Sequence, residues 1–388
     1  MQSVENTKTS IWLKKQTVFI IYFISINAIN IQSIITHKLN VWKIFRYSYY
    51  HLLQHKDIYA FWPQDYFDQY QYSPSFPILF APFAALPYYI GYFLWNNLNM
   101  LLMPYLFYKI KGIDDNKKAI ICYFAILEML TCLQGTQTNV MIAILMVAAF
   151  LSFENKQYWL AAFAIAGGAY IKAYPIVAAS LFLLYPNKIN FIFKFIVAML
   201  IVGALPLLVI SPKELGTLYY NWYAELAIDQ GDNNGRIALT GLIQAYFNIS
   251  DAGKLFVQIG GVISFCVMYI RYKLFTNYNY RLYFLGVLLI WGAIFNHAGE
   301  IYGYAIAIWG IGIWYALQKP SKALNIFMIL FLFFGTVLSI DPTPHIILDY
   351  IYNHGLKALP FTIMYGLMIW EMIKGTSAKF NLENSNSV

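Results

Sequence analysis

The amino-acid sequence predicts an all-α protein, a polytopic membrane bundle of helices, and three observations support this class. Of its 388 residues, 60% are hydrophobic and only 11% are charged, which is far from the composition of a soluble globular domain. Apolar runs long enough to cross a bilayer recur along the chain. The first run, residues 17–36, is not followed by a small-residue cleavage site, so we interpret it as a retained helix and not as a signal peptide.

The apolar runs, taken in order, predict about 11 to 13 transmembrane segments in one membrane domain covering residues 1–388. Three of the runs are too short to span alone and are expected to be broken, re-entrant or buried in the bundle; they lie at 76–87, 158–171 and 174–185. The segments fall near 17–36, 76–87 with 88–108, 119–133, 138–153, 158–171, 174–185, 191–210, 255–275, 280–295, 301–317, 323–340 and 359–374.

The distribution of charge predicts the orientation of the bundle. With both termini in the cytoplasm, 17 of the 26 lysines and arginines face the cytoplasm, whereas 11 of the 18 acids and all six histidines face outward. The net charge of +8 is spread between apolar runs and forms no basic block, so nucleic acid is not an expected partner. We expect a multi-pass protein of the inner or plasma membrane with its active site facing the periplasm or exterior.

Two outer loops are long enough to hold structure. In the first loop, residues 37–75, Trp42, Phe45, Tyr49 and Leu52 recur at helical spacing, which predicts a helix lying in the membrane interface. The second loop, residues 211–254, mixes polar and aromatic residues without clear periodicity, and residues 375–388 form a polar cytoplasmic tail.

The end of the first loop gathers acids and aromatic rings. Asp57, Asp65 and Asp68 lie among tyrosines and tryptophans, directly before an apolar run. Rings stack on the apolar faces of a sugar, and a carboxylate can bind hydroxyl groups or deprotonate one as a general base. The alternative is an ordinary interfacial aromatic belt with solvated loop acids. Because a belt does not need three acids within a dozen residues, we favour a sugar site.

A series of motifs carries a resemblance to a known family. In order, they read DIYAFWPQDYFDQYQYSPSFPILFAPFAALP, LWNNLN, LQGTQTNVMIAIL, GGAYIKAYP, and, more weakly, NWYAELAIDQGDNNGRIALTG and NHAGEIYGYAIAIWG. Together they resemble glycosyltransferase family 87, whose members have the GT-C membrane fold. The resemblance implies transfer of a hexose, typically mannose, from a lipid-linked polyprenyl-phosphate donor to a glycan or glycolipid acceptor.

The sequence departs from the family where the resemblance expects the catalytic aspartate. Counting back from Ile58 and Tyr59, which match a family pair, reaches Asn40 or Val41, and neither side chain can act as a base. Another acid is then needed. We expect Asp57 first, because it follows the interfacial helix on the same loop, and then Asp65, Asp68 and Glu300; Asn40 remains a candidate substrate contact.

The remaining candidates bind substrate. An intramembrane charge is a functional hypothesis by default, which singles out Glu128. Lys172 stands at the K-x-Y-P position of the resemblance and is expected to hold the donor phosphate; the alternatives are a Glu128–Lys172 ion pair and a snorkelling lysine. His297 and Glu300 would share one helical face if the helix after them extends back. The other candidate contacts are Gln137, Asn139, Arg236, Asp229 and Tyr72.

No cofactor is expected. His51 and His55 have a spacing that can pair two imidazoles on a helix, but no third ligand is evident nearby. A divalent cation bridging the loop aspartates to phosphate is chemically sound, yet the resemblance implies a metal-independent reaction. Two rival functions remain at this stage, a transporter or flippase of lipid-linked sugars and a non-catalytic relative that binds glycolipid.

Overall fold

The structure is that of a helical membrane protein. It is a computed structural model that describes residues 10–232, 237–296 and 299–374, except for the side chains of 228–232. Within those ranges it contains 16 α-helices, six short 3₁₀ helices and no β-strand, which confirms the all-α class. In this described part of the chain, four helices are long and apolar enough to cross a membrane, and the number rises to six if each of two bent helix pairs is one span.

The spanning helices are fewer than the roughly 11 to 13 segments that the apolar runs predict. The difference arises because further apolar runs fold into helices of only 10–17 residues, and at 1.5 Å per residue these do not cross a hydrocarbon core of about 30 Å unaided. Two of them, Tyr158–Ile171 and Tyr174–Leu184, are among the three runs that the sequence marks as too short; the third contains Phe76–Ala84, which forms a bent pair with Tyr88–Lys109.

The α-helices follow one another with short connections, apart from the two longer loops. In chain order they are α1 Lys15–Ile35, α2 Asn40–Leu53, α3 Phe76–Ala84, α4 Tyr88–Lys109, α5 Asp115–Gln134, α6 Asn139–Glu154, α7 Tyr158–Ile171, α8 Lys188–Ala204, α9 Pro212–Asp232, α10 Leu239–Phe247, α11 Asp251–Val267, α12 Tyr278–Ile294, α13 Tyr304–Ala316, α14 Lys322–Gly335, α15 His345–Asn353 and α16 Ala358–Lys374.

Helices α12 and α13 form the centre of the bundle. Every residue of α13 is buried, as expected for a helix that is apolar all round. Two glycines allow the pair to pack closely, because a β-carbon on Gly310 would overlap the carbonyl oxygen of Gly286. Small residues serve this purpose in membrane bundles, where close backbone approach replaces the hydrophobic effect.

Amide side chains fix α1 against α4. Asn27 and Asn97 exchange hydrogen bonds of 3.0 and 3.1 Å, and the buried Asn96 donates to Asn30 at 2.7 Å. Such hydrogen bonds pair amide groups of the two helices that would otherwise meet hydrocarbon, although Asn30 Nδ2 donates and Asn96 Oδ1 accepts no hydrogen bond among the described residues.

The bundle has two chemically different ends. At one end Lys117 donates to the carbonyl oxygen of Ala316, and Arg281 forms a bidentate pair with Glu154 at 2.7 and 2.8 Å. Lys117 and Arg281 are among the lysines and arginines that the sequence assigns to the cytoplasmic side. At the other end, called here the site end, α5 and α7 finish and α2, α6 and the 3₁₀ turn before α13 begin.

The first long loop contains the predicted interfacial helix, α2. Trp42 and Phe45 are fully buried and contact the ring of Phe80 on α3 edge-on. The helix therefore lies across the site end with its aromatic side against the bent α3–α4 pair, whose axes differ by 115°.

The second long loop is more regular than the sequence indicates. Residues 211–254 contain all of α9 and α10, although we detect no periodicity there. The reason is local: Ser211 and Glu214 form a reciprocal capping box, with Ser211 N donating to Glu214 Oε2 at 2.8 Å and Glu214 N donating to Ser211 Oγ at 3.3 Å. Pro212 occupies the first helical turn, where no amide hydrogen is needed. The tail 375–388 lies outside the described residues.

Candidate active site

A cavity of about 430 Å³ opens at the site end. Its wall is assembled from distant parts of the chain: the first turns of α2, residues within 68–72, the α5–α6 turn, residues 171–174, the middle of α9, and Asn296 with Glu300. This size and mixture of apolar and polar walls is typical of a small-molecule site.

Lys172 is the only lysine or arginine among the described residues that line the cavity, and it is held by an acid. Helix α7 ends at Ile171 because Lys172 adopts an extended backbone (φ −137°, ψ 142°). Its Nζ lies 2.8 Å from Glu300 Oε2, and the two side chains are 16% and 35% exposed. Glu300 is also extended and precedes the 3₁₀ turn at Ile301. The pair therefore joins two breaks in helical structure at the cavity wall.

A second acid, Asp68, lines the cavity without an ion-pair partner in the described part of the chain. Its Oδ2 accepts a hydrogen bond of 2.7 Å from Asn40 Nδ2, while Asn40 Oδ1 accepts from the backbone N–H of Phe67 at 2.9 Å. Asn40, at the first turn of α2, thus fixes both the backbone and the carboxylate of the 67–68 segment. Asn40, which occupies the position where the resemblance expects an aspartate, is therefore hydrogen-bonded to a different aspartate, Asp68.

Asp57 and Asp65 do not line the cavity. Asp57 is exposed and accepts from the Tyr59 backbone N–H and from Asn221 Nδ2, both at 3.0 Å. Asp65 lies 2.9 Å from His51 Nε2. Each of the two carboxylates already organises the first loop, and their assignment as catalytic base stays a prediction.

The two histidines of α2 and its flank take separate partners. Burial lowers the pKa of His51, and the Asp65 carboxylate partly offsets this effect. His55 Nδ1 lies 2.9 Å from Glu214 Oε1. Among the described residues, no group of three His, Cys, Asp or Glu side chains is arranged to hold a metal ion.

Aromatic and amide side chains complete the cavity. Tyr72 lies in its wall, and burial raises the pKa of this phenol, so it stays neutral and can donate a hydrogen bond. Gln137, also in the wall, belongs to the α5–α6 turn, where Thr136 has a positive φ of 54°. Trp222 of α9 presents its ring to the cavity and donates from Nε1 to the Gln71 carbonyl oxygen at 3.2 Å.

The structure therefore brings together five of the predicted site residues and adds others that we did not predict. The five that line the cavity are Asp68, Tyr72, Gln137, Lys172 and Glu300. Tyr174 could have been found from its place in the same motif as Lys172. No local signal marks Trp222, which sits in an aperiodic segment. The other additions with polar side chains are Gln69, Gln71 and Asn296.

Two predicted residues are buried elsewhere. Glu128 pairs with Lys357 at 3.0 Å, and the side chains are 1% and 0% exposed. The alternative of a Glu128–Lys172 ion pair is therefore wrong, because each residue has a different partner. Asn139 is buried at the first residue of α6 and does not line the cavity.

Three further predicted residues cannot be placed at the cavity. Arg236 and His297 lie outside the described residues, as does the side chain of Asp229. The expected shared helical face of His297 and Glu300 does not form, because Glu300 is extended and the first helical residue after it is Ile301.

The cavity contains groups that can bind a carbohydrate. Carboxylates and amides can bind hydroxyl groups, aromatic rings can stack on a sugar, and one ammonium group can bind an anion. Together with the helical bundle, these groups give a membrane protein a cavity that can bind a sugar with an attached anion.

The family follows from a comparison of the sequence. Residues 70–296, more than half of the chain, match the family model for Glycosyltransferase family 87. The chain belongs to this family and is a membrane glycosyltransferase, which confirms the resemblance noted in the sequence. The match includes Tyr72, Gln137 and Lys172 but leaves the Asn40–Asp68 pair outside. A search of curated proteins gave no match.

Proposed function

We propose that the protein transfers a hexose, with mannose as the first candidate, from a polyprenyl-phosphate donor to a hydroxyl group of a glycan or glycolipid. The observation that carries this proposal is the joint presence, in one cavity, of the Asp68 carboxylate and the Lys172 ammonium. The first can accept the proton of the acceptor hydroxyl, and the second can stabilise the negative charge of the leaving phosphate.

Asp68 is the proposed base in place of Asp57. It lines the cavity, and no lysine, arginine or histidine pairs with it among the described residues. Asn40 donates one hydrogen bond to Oδ2, which orients the carboxylate and leaves Oδ1 for the acceptor hydroxyl. Asp57 has both oxygens engaged by Tyr59 and Asn221.

Lys172 is the proposed contact for the donor phosphate. An ammonium is a compact charge suited to a phosphate oxygen, and it lies at the end of α7, where a lipid-linked headgroup can reach it from the bilayer. We assign the sugar to the wall formed by Tyr72, Gln137 and Trp222. Arg236 remains a second proposed phosphate contact.

The proposed location is the outer face of the cytoplasmic membrane. Lys117 and Arg281 lie at the end of the bundle opposite the cavity. Lysines and arginines in short loops favour the cytoplasmic side of a membrane. A lipid-linked donor needs no soluble nucleotide sugar on the outer side. No metal takes part in the proposed reaction, so transfer is expected to persist in excess EDTA.

Transfer of labelled sugar tests this proposal. The purified protein in nanodiscs is offered polyprenyl-phosphate-[¹⁴C]mannose, or the glucose analogue, with a crude lipid and glycan extract. We expect label in a new product with the wild type and with Asp57→Asn, and a loss of about 100-fold or more with Asp68→Asn. Asp57→Asn is the matched control because it makes the same change on the same loop.

Three outcomes contradict the proposal. Loss of transfer in Asp57→Asn with full activity in Asp68→Asn would reverse the assignment of the base. Bound donor without transfer from either sugar would favour the non-catalytic function, whereas movement of intact donor across the bilayer would favour a flippase.

A further inference from the structure

The cavity contains an ion pair in which Glu300 neutralises Lys172. Lys172 Nζ lies 2.8 Å from Glu300 Oε2, and 35% of the Glu300 side chain is exposed. Part of the Glu300 side chain is therefore accessible, whereas Lys172 is mostly buried. Glu300 and Lys172 both line the cavity, so an anion that binds Lys172 there is also close to the Glu300 carboxylate.

The charge of the lipid phosphate changes during the proposed reaction, on which this inference rests. The acceptor oxygen forms a bond to C1 of the sugar, the bond between C1 and the phosphate oxygen breaks, and its electron pair stays on the phosphate. The acceptor proton passes to Asp68. The donor is a phosphodiester with one negative charge, whereas the product is a monoester that carries about 1.5 to 2 negative charges at pH 7.

A lone ammonium would hold the product more tightly than the donor. Coulomb attraction grows with the charge of the anion, so Lys172 by itself would retain the spent lipid phosphate and slow each turnover. A fixed carboxylate beside it acts in the opposite sense, because its repulsion also grows with the charge of the bound anion. The repulsion therefore weakens binding of the product more than binding of the donor.

We propose that Glu300 is an internal counter-ion of Lys172. Its carboxylate releases the Lys172 ammonium when the donor phosphate binds and pairs with it again after transfer, which prevents retention of the lipid phosphate product. Glu300 is then a specificity-determining residue that acts through Lys172. The proton of the acceptor is assigned to Asp68, so Glu300 takes no part in proton transfer.

Product inhibition tests the inference. The inhibition constant of polyprenyl monophosphate is measured against donor for the wild type and Glu300→Gln in nanodiscs at pH 7.5 and 5.5. At pH 7.5, we expect Glu300→Gln to lower the product inhibition constant by about tenfold or more, with a smaller effect on donor KM. At pH 5.5 the product loses most of its second charge, so the difference between the two proteins shrinks.

Two control variants separate charge from packing. Asp251→Asn removes an acid from an exposed ion pair on α11 and is expected to leave product inhibition unchanged. Glu300→Asp keeps the carboxylate and should keep the ratio of product to donor affinity within about threefold of the wild type. If Glu300→Gln does not fold, a tenfold shift in Glu300→Asp would still contradict the inference.

The outcomes distinguish this inference from the proposed function. If the wild type transfers no sugar from any polyprenyl-phosphate donor, the donor class is wrong and both proposals fail. If it binds the product and transfers sugar, but Glu300→Gln shows the same inhibition constant at both pH values, only the counter-ion role is overturned.

Discussion

Asn40 and Asp68 show how one side chain can define the role of another. Asn40 bridges the Phe67 backbone N–H and the Asp68 carboxylate, at 2.9 and 2.7 Å. An amide is suited to this task because it offers one acceptor and two donors. An aspartate at position 40 could still accept from Phe67, but it would place a second negative charge beside Asp68.

The substitution Asn40→Asp therefore has a defined effect on the pH dependence of transfer. When two carboxylates lie within hydrogen-bond distance, the charge of one raises the pKa of the other, so the pair loses its last proton at a higher pH than a lone acid does. We expect the acid limb of the kcat/KM profile to move to higher pH by about one unit or more, with activity retained above it. An unchanged acid limb would show that Asp68 is not the base. Asn221→Asp, beside Asp57, is the matched control and should leave the limb in place.

Single contacts also explain what the sequence predicts and what it does not. The break after Ile171 and the exposure of Lys172 to a cavity follow from a local motif. The partners of Lys172 and Glu128 do not, because Glu300 and Lys357 are 128 and 229 residues away. Such pairings depend on how helices pack, and local spacing carries no signal for them.

Among the helices, the close approach of α12 and α13 depends on two glycines. A β-carbon on Gly310 would overlap the Gly286 carbonyl oxygen and lie 2.8 Å from Ile290 Cγ1. Backbone atoms cannot move aside as a flexible side chain can.

We expect Gly310→Ala to lower the free energy of unfolding by about 1–3 kcal/mol through overpacking. Gly366→Ala on α16 is the control, because no atom lies within 4 Å of its added carbon; it should be neutral or slightly stabilising. Unfolding of both variants is compared by thermal denaturation in one detergent. Equal midpoints would contradict the close packing of α12 against α13.

Helix α9 depends on a charged cap. The Ser211 backbone N–H, the Ser211 hydroxyl and then His55 lower the pKa of Glu214 to about 2 from an ordinary value of 4.5. Because the folded state lowers the pKa of this acid, its stabilising effect is complete above pH 4.5 and is lost as the pH falls towards 2.

The cap predicts a pH-dependent difference between two proteins. The thermal midpoint of the wild type should exceed that of Glu214→Gln by a constant amount above about pH 4.5, and the gap should narrow below it. Ser211→Ala removes a cap without removing a titrating group, so its own deficit should vary less with pH. A gap that widens on acidification would be inconsistent with the lowered pKa.

The orientation of the entire bundle in the membrane can be tested by labelling one exposed residue at each end. Gln64 is exposed on the first long loop at the site end, and Lys319 is exposed at the opposite end, between α13 and α14. In a Cys266→Ser background, we expect an impermeant maleimide to label Gln64→Cys in intact cells and Lys319→Cys only after permeabilisation. The opposite pattern would place the cavity in the cytoplasm.

The overall class was predictable because composition and apolar runs report on the solvent of a chain, here lipid. The cavity as a whole was not, because its walls come from six separate segments. Helix α9 contributes Trp222 to the cavity wall. Hydrogen bonds of His55 with Glu214 and of Asp57 with Asn221 hold α9 against the first loop. These contacts exist only in the assembled molecule.

The buried Glu128–Lys357 pair has a consequence for biogenesis. The chain is synthesised from its N-terminus, so α5 enters the membrane 229 residues before its cationic partner is made. A lone carboxylate is costly in hydrocarbon, and α5 is therefore expected to remain loosely packed near water or lipid headgroups. Arrival of α16, which begins directly after Lys357, then completes the pair. Assembly of the part of the bundle that contains α5 is thus incomplete until Lys357 and α16 have been inserted.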